Sequence, residues 1–141
     1  MATQAIVIVD DEAILLFSLK QTMRLHFGEK YRYETAMNGE KGLECMNELL
    51  HEGVEVVLVI SDWLMPGMNG AEFLRTVHRE YPTTNLLMIS GHADEVEIDK
   101  LTIDLGLQGF LRKPWNRRQL FDTVESALNR YTDSQKNVFG D

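Results

Sequence analysis

"VVLVISDWLMPGMNG", residues 56–70, carries six apolar or small residues into a single acid, Asp62, and then breaks into a turn rich in Pro and Gly. An apolar run without polar alternation marks a strand covered on both faces, as in a parallel sheet. A carboxylate at the end of such a strand costs free energy unless something beside it compensates. Asp62 therefore raises the question of what else the fold delivers to the same place.

Related runs lie on either side. "AIVIV" (5–9), "VEVVLVI" (54–60) and "LLMI" (86–89) all lack alternation, and "GFL" (109–111) is a shorter member of the set. A fifth run, "YRYETAM" (31–37), does alternate, with Tyr31, Tyr33, Thr35 and Met37 expected on one side, which suits an edge strand with one wetter face. The intervals read as helices. Leu15, Leu19 and Met23 repeat at helical spacing before Gly28; Leu43, Met46, Leu49 and Leu50 form a stripe before Gly53. Phe73, Leu74 and Val77 share a face that closes at Pro82, and Ile98, Leu101 and Leu105 precede a stop at Gly106. Leu120, Val124 and Leu128 follow Asn116, a candidate N-cap. Five strands alternating with five helices predict a doubly wound (βα)5 three-layer sandwich around a parallel sheet, with a domain over 1–131 and a polar tail or linker start over 132–141.

Composition narrows the function classes. The 141 residues suffice for one domain, and a net charge of −8 argues against direct nucleic-acid binding or docking to an anionic membrane. The single Cys45 forbids an internal disulfide and suits a reducing compartment. No apolar run approaches the roughly 18 residues of a membrane span, and the start lacks a signal-peptide plan. A cytoplasmic location is expected.

Doubly wound sheets place their chemistry at the carboxyl ends of the strands. Asp10 and Asp11 follow the first strand, Asp62 the third, Ser90 the fourth, and Lys113 with Pro114 the fifth. Singly, each has an ordinary reading: Asp11 as a helix cap, Asp62 as a turn former, Ser90 as a loop start, Lys113 as a solvated cation. Together they put three carboxylates, a hydroxyl and an ammonium on one rim. Two like charges ~4 Å apart repel by about 4 kcal/mol at a surface-like dielectric, so the acids call for a cation. Oxygen-only ligands suit Mg²⁺, with Mn²⁺ an acceptable substitute, and disfavour zinc. Such a rim can bind a phosphoryl group, with one Asp as nucleophile.

The "DD" after strand one, "DWLMPGMNG", "ISG" after strand four and "KP" after strand five resemble the receiver domain of two-component response regulators, from about Ala5 to Tyr131. The resemblance implies sheet order 2-1-3-4-5, the order of flavodoxin-like doubly wound sheets. It implies that Asp62 is the phosphoacceptor, loaded from a sensor histidine kinase or histidine phosphotransfer protein. It further implies that Asp11 touches the metal, that Asp10 acts largely through a water, and that Asp62 and the backbone carbonyl of Leu64 are further ligands. Ser90 and Lys113 hold the phosphoryl group, the Lys113–Pro114 bond is cis, and Phe110 is a switch aromatic without a hydroxyl. Leu64 and His92 occupy positions that modulate phosphoryl lifetime. An unknown effector reads the face made by helix four, strand five and helix five. "RKPWNRR" sets four basic residues and Trp115 near that face.

The protein is not expected to be an enzyme beyond slow self-phosphorylation and self-dephosphorylation. A Mg²⁺-dependent aspartyl phosphohydrolase is the first rival, but it wants a second acid two residues after the nucleophile, where Leu64 stands. A phosphorylation-independent binding module is the second. It would have lost a rim group, and none is missing.

Overall fold

The computed structural model describes residues 3–91 and 94–138, the side chains only as far as residue 129 at the C-terminal end. The elements are β1 (Gln4–Val9), α1 (Ala13–Phe27), a 3-10 turn (Gly28–Lys30), β2 (Tyr31–Ala36), α2 (Gly39–His51), β3 (Glu55–Asp62), α3 (Gly70–Glu80), β4 (Asn85–Ser90), α4 (Glu95–Leu105), β5 (Gly109–Arg112) and α5 (Arg117–Val138). All pairings are parallel, in the order β2-β1-β3-β4-β5, as expected. The three longer unalternated runs are central strands whose residues are buried almost throughout, whereas "GFL" lies in β5, the other edge strand, and buries only Leu111.

Alternation along β1 explains the two layers. Ala5, Val7 and Val9 enter one cluster with Met46, Leu49, Phe73, Leu74, Val77, Leu101 and Leu105, which belong to α2, α3 and α4. Ile6 and Ile8 enter the other, with Leu16, Leu19 and Met23 of α1 and Leu120, Val124 and Leu128 of α5. Val57 is an extra residue, because Ala5 pairs with Val56 and Ile6 with Leu58. This bulge and the 3-10 turn both lie within the long stretch from Asp11 to Asp62.

Helix ends follow local chemistry. Asn38, Asn69 and Asp94 cap α2, α3 and α4 by accepting from the N–H groups of Lys41, Glu72 and Val96. Asn116 Oδ1 accepts from the Gln119 N–H at 2.8 Å while Gln119 Oε1 takes the Asn116 N–H at 3.1 Å, a reciprocal box at the start of α5. Gly106 ends α4 at φ 65°, where a side chain would strain the backbone.

Four expectations change. On β2, Thr35 and Met37 are exposed, whereas Tyr33 and Ala36 are buried on opposite faces. The reason is that this edge strand is roofed twice: Tyr33 packs against the α1 layer, Ala36 against the α2 layer. Leu50 is 59% exposed, because the buried stripe of α2 runs through Gly39, Gly42, Met46 and Leu49 and leaves Leu50 beyond its margin. On α1, Leu16 is buried and Leu15 only partly so. Finally, α5 continues through the polar sequence to Val138 rather than ending near Tyr131.

Candidate functional site

The rim at the carboxyl ends of β1, β3, β4 and β5 is built by continuing the sheet for one residue past its apolar part. Asp10 extends the ladder, its N–H donating to the Ala36 carbonyl at 3.1 Å. Its side chain is fully buried, with Oδ1 accepting from the Glu12 N–H at 2.9 Å. That bond occupies the start of α1, where Glu12 sits at the N-cap without a side-chain capping bond. Asp11 therefore does not cap the helix and is left exposed.

Asp62 is the last residue of β3 and 5% exposed. Its Oδ1 accepts from the Trp63 N–H at 2.8 Å. The chain then loops back so that the Gly70 N–H donates to the Trp63 carbonyl at 2.8 Å. A Cβ on Gly70 would lie 2.1 Å from the Asp62 carbonyl oxygen, so the turn after Asp62 closes only around glycine. Ser90, at the end of β4, is buried, and its carbonyl accepts from the Lys113 N–H at 2.9 Å. The Lys113–Pro114 peptide is cis, as expected.

Lys113 ties the rim together. Its Nζ lies 2.9 Å from Asp10 Oδ2, 3.2 Å from Glu12 Oε1 and 3.4 Å from Asp62 Oδ2. One ammonium is not enough. Asp10, Asp11, Glu12 and Asp62 each bring a carboxylate oxygen within 4.8 Å of the others. Burial pushes the carboxyl of Asp62 above its usual value and the charge of Asp10 pushes it further, against the pull of Lys113. Asp10 is likewise raised by burial, partly offset by its bond to Lys113. Burial lowers Lys113, but its bond to Asp10 and the charges of Asp10 and Asp62 outweigh this and raise it. Four oxygens in reach of one point, with surplus negative charge, fit a hard divalent cation.

The structure brings Asp10, Asp11, Asp62, Ser90 and Lys113 together. Leu64, 51% exposed, lines the same cleft. Phe110 does not join them: it lies partly buried on β5, with the Arg112 guanidinium 5.5 Å from its ring centre, and lines a neighbouring cleft with Glu95, Ile98 and Thr123 that meets the first at Lys113 and Pro114. His92 lies outside the described residues. Glu12 was missed from sequence. It stood in plain view as the third acid of "DDE", where an acid at a helix start is so ordinary that it carries no separate signal.

Comparison with known proteins agrees with this arrangement. The family model described as "Response regulator receiver domain" matches residues 6–125. A sensor kinase, CckA of Brucella abortus, is 36% identical over 100 residues, which is 71% of this chain and 10% of that protein. The hydrogenase transcriptional regulatory protein HoxA of Cupriavidus necator is 32% identical over 123 residues, 87% of this chain and 24% of that protein. This chain thus spans a quarter or less of either relative. Among solved structures, a CheY-like response regulator receiver domain protein from Methanospirillum hungatei superposes with a TM-score of 0.80 at 26% identity, covering 94% of this chain and 99% of that one. No helix among the described residues is long and apolar enough to cross a membrane. The chain belongs to the response regulator receiver domain family.

Proposed function

We propose that this receiver takes a phosphoryl group onto Asp62 from a histidine of a sensor kinase or phosphotransfer protein, with Mg²⁺ as the resident ion. The observation that carries the reading is Lys113 Nζ held between Asp10 and Asp62 at the floor of an open cleft. An Asp62 oxygen attacks phosphorus, the P–N bond to the donor imidazole breaks, and its electron pair returns to the ring nitrogen. Asp10, Asp11, Asp62 and the Leu64 carbonyl would hold the ion, which supplies charge neutralisation to phosphoryl oxygens. Lys113 neutralises a further oxygen and the Ser90 hydroxyl donates to another. The product adds about −1.5 to −2 charges where the acids already repel, by analogy with other phosphoryl modifications. That change biases the β4 end and Phe110 between two arrangements, and a downstream effector reads the α4–β5–α5 face. A phosphohydrolase reading lacks its general acid, since Leu64 occupies that position. Cytoplasmic placement follows from the need for an ATP-fed donor.

The test is incubation with acetyl phosphate and Mg²⁺, read by intact mass. The wild type gains one phosphoryl group and Asp62→Asn gains none. A gain of equal size in Asp62→Asn would remove Asp62 as acceptor.

A further inference from the structure

We infer that Trp115, backed by Leu15, forms an aromatic wall that makes this site select a phosphoryl donor whose leaving group is an imidazole ring. The inference rests on Asp62 being the acceptor. The cleft lined by Asp62 has a volume of about 750 Å³ and a lining of two chemical kinds. Asp11, Glu12, Asp62, Ser90 and Lys113 supply polar groups, and Leu15, Leu64, Pro114 and Trp115 apolar surface. Trp115 and Leu15 are each partly buried against the cluster shared by α1 and α5. The indole is thus held at the wall by packing rather than swinging in solvent.

Displacement at phosphorus runs in line. With Asp62 at the floor, the leaving group must lie up the cleft, between these walls. A flat imidazole can stack on an indole, gaining a contact that grows as the donor is seated. The ring, protonated on its second nitrogen, leaves neutral when the P–N pair returns to the first. An acyl phosphate is served poorly by the same surroundings. Its leaving acetate is an anion with no face to stack, and Asp11 and Glu12 repel it. Among the described residues that line the cleft, Lys113 is the one cationic side chain, and its ammonium is already engaged by Asp10, Glu12 and Asp62.

The experiment compares initial rates of Asp62 phosphorylation by phosphoimidazole and by acetyl phosphate in Mg²⁺, using the full chain. The variants are Trp115→Leu, which keeps apolar bulk, and Trp115→Phe, which keeps a ring. The ratio of the two rates is the readout, because general damage to the site moves both together. Trp115→Leu is expected to lower the phosphoimidazole-to-acetyl-phosphate ratio about three- to tenfold, the size of one aromatic contact, and Trp115→Phe to restore most of it. An unchanged ratio in Trp115→Leu overturns the inference while leaving Asp62 as acceptor intact. Failure of the wild type with both donors overturns the acceptor reading and this inference with it.

Discussion

At the amino ends of β1, β2 and β3 the charges come in pairs, whereas at the carboxyl ends acids outnumber cations. Arg32 donates to both Glu52 and Glu34, the second at 3.1 Å. The Tyr33 hydroxyl donates to the Gly28 carbonyl at 2.9 Å, and Lys30 and Arg24 lie over the rings of Tyr31 and Tyr33. The carboxyl end instead gathers four carboxylates, three of them on one ammonium, and buries two of the four. One end is arranged to be quiet. The other stores electrostatic repulsion that a cation can relieve.

Identical substitutions at the two ends should break the comparison most sharply. Gly70→Ala forces a methyl against the Asp62 carbonyl and the Trp63 backbone, neither of which is a flexible side-chain tip. Loss of about 3 kcal/mol is expected in urea denaturation, with the Asp62 loop disturbed. Gly53→Ala, at φ 78° with open space around it, should cost only about 1–2 kcal/mol of backbone strain. Equal losses would mean that the turn after Asp62 is softer than its packing implies.

Stored repulsion should appear next as stabilisation by a divalent ion. Mg²⁺ at a hundredfold over its dissociation constant should add about 2.7 kcal/mol by mass action, a rise of several degrees in Tm. Ca²⁺, which prefers more ligands at longer distances, is expected to do less. No shift with Mg²⁺ would show that the acids do not act as one ligand set.

In chelator, Asp62→Asn tests the same repulsion without metal. The folded-state pKa of Asp62 is raised, so its carboxylate costs stability that is absent below the unfolded value near 3.8 and fully felt once pH passes the folded value. The variant should therefore be more stable than wild type at neutral pH, on the order of 1 kcal/mol or about 4 °C, and the advantage should fade as pH falls towards 4. Lys113 keeps Asp10 and Glu12 as partners in the variant. A less stable variant at neutral pH would mean that Lys113–Asp62 attraction outweighs the carboxylate repulsion.

The carboxyl rim was the more legible end in sequence, and the reason is physical. A parallel sheet sends every strand the same way, so the residue after each apolar run is placed by topology alone; Asp10, Asp62, Ser90 and Lys113 needed no contact prediction. What sequence periodicity could not supply was depth across a face. Leu49 and Leu50 differ by one step on α2, yet only Leu49 reaches the sheet. On β2, alternation identified the edge strand but not that both faces are partly roofed, which buries Ala36 and exposes Thr35. Trp115 was assigned to the neighbourhood of the α4–β5–α5 face, but it lines the Asp62 cleft, because α5 begins only after the chain has turned back at Pro114.

The smallest effect belongs to the quiet end. Glu52→Gln removes one of the two acids that Arg32 engages, in a pair whose side chains are 37% and 50% exposed. Such a pair contributes little because both groups are well hydrated when apart, and Glu34 keeps Arg32 partnered at 3.1 Å. A loss close to the resolution of urea denaturation is expected at low salt, shrinking further at 1 M NaCl, where the screening length falls to about 3 Å. Phosphorylation of Asp62 should not change, since Glu52 precedes β3 at its amino end and Asp62 closes the strand at the other. A loss well above that, or a changed phosphorylation rate, would show that the two ends are energetically coupled and that the contrast drawn between them is too clean.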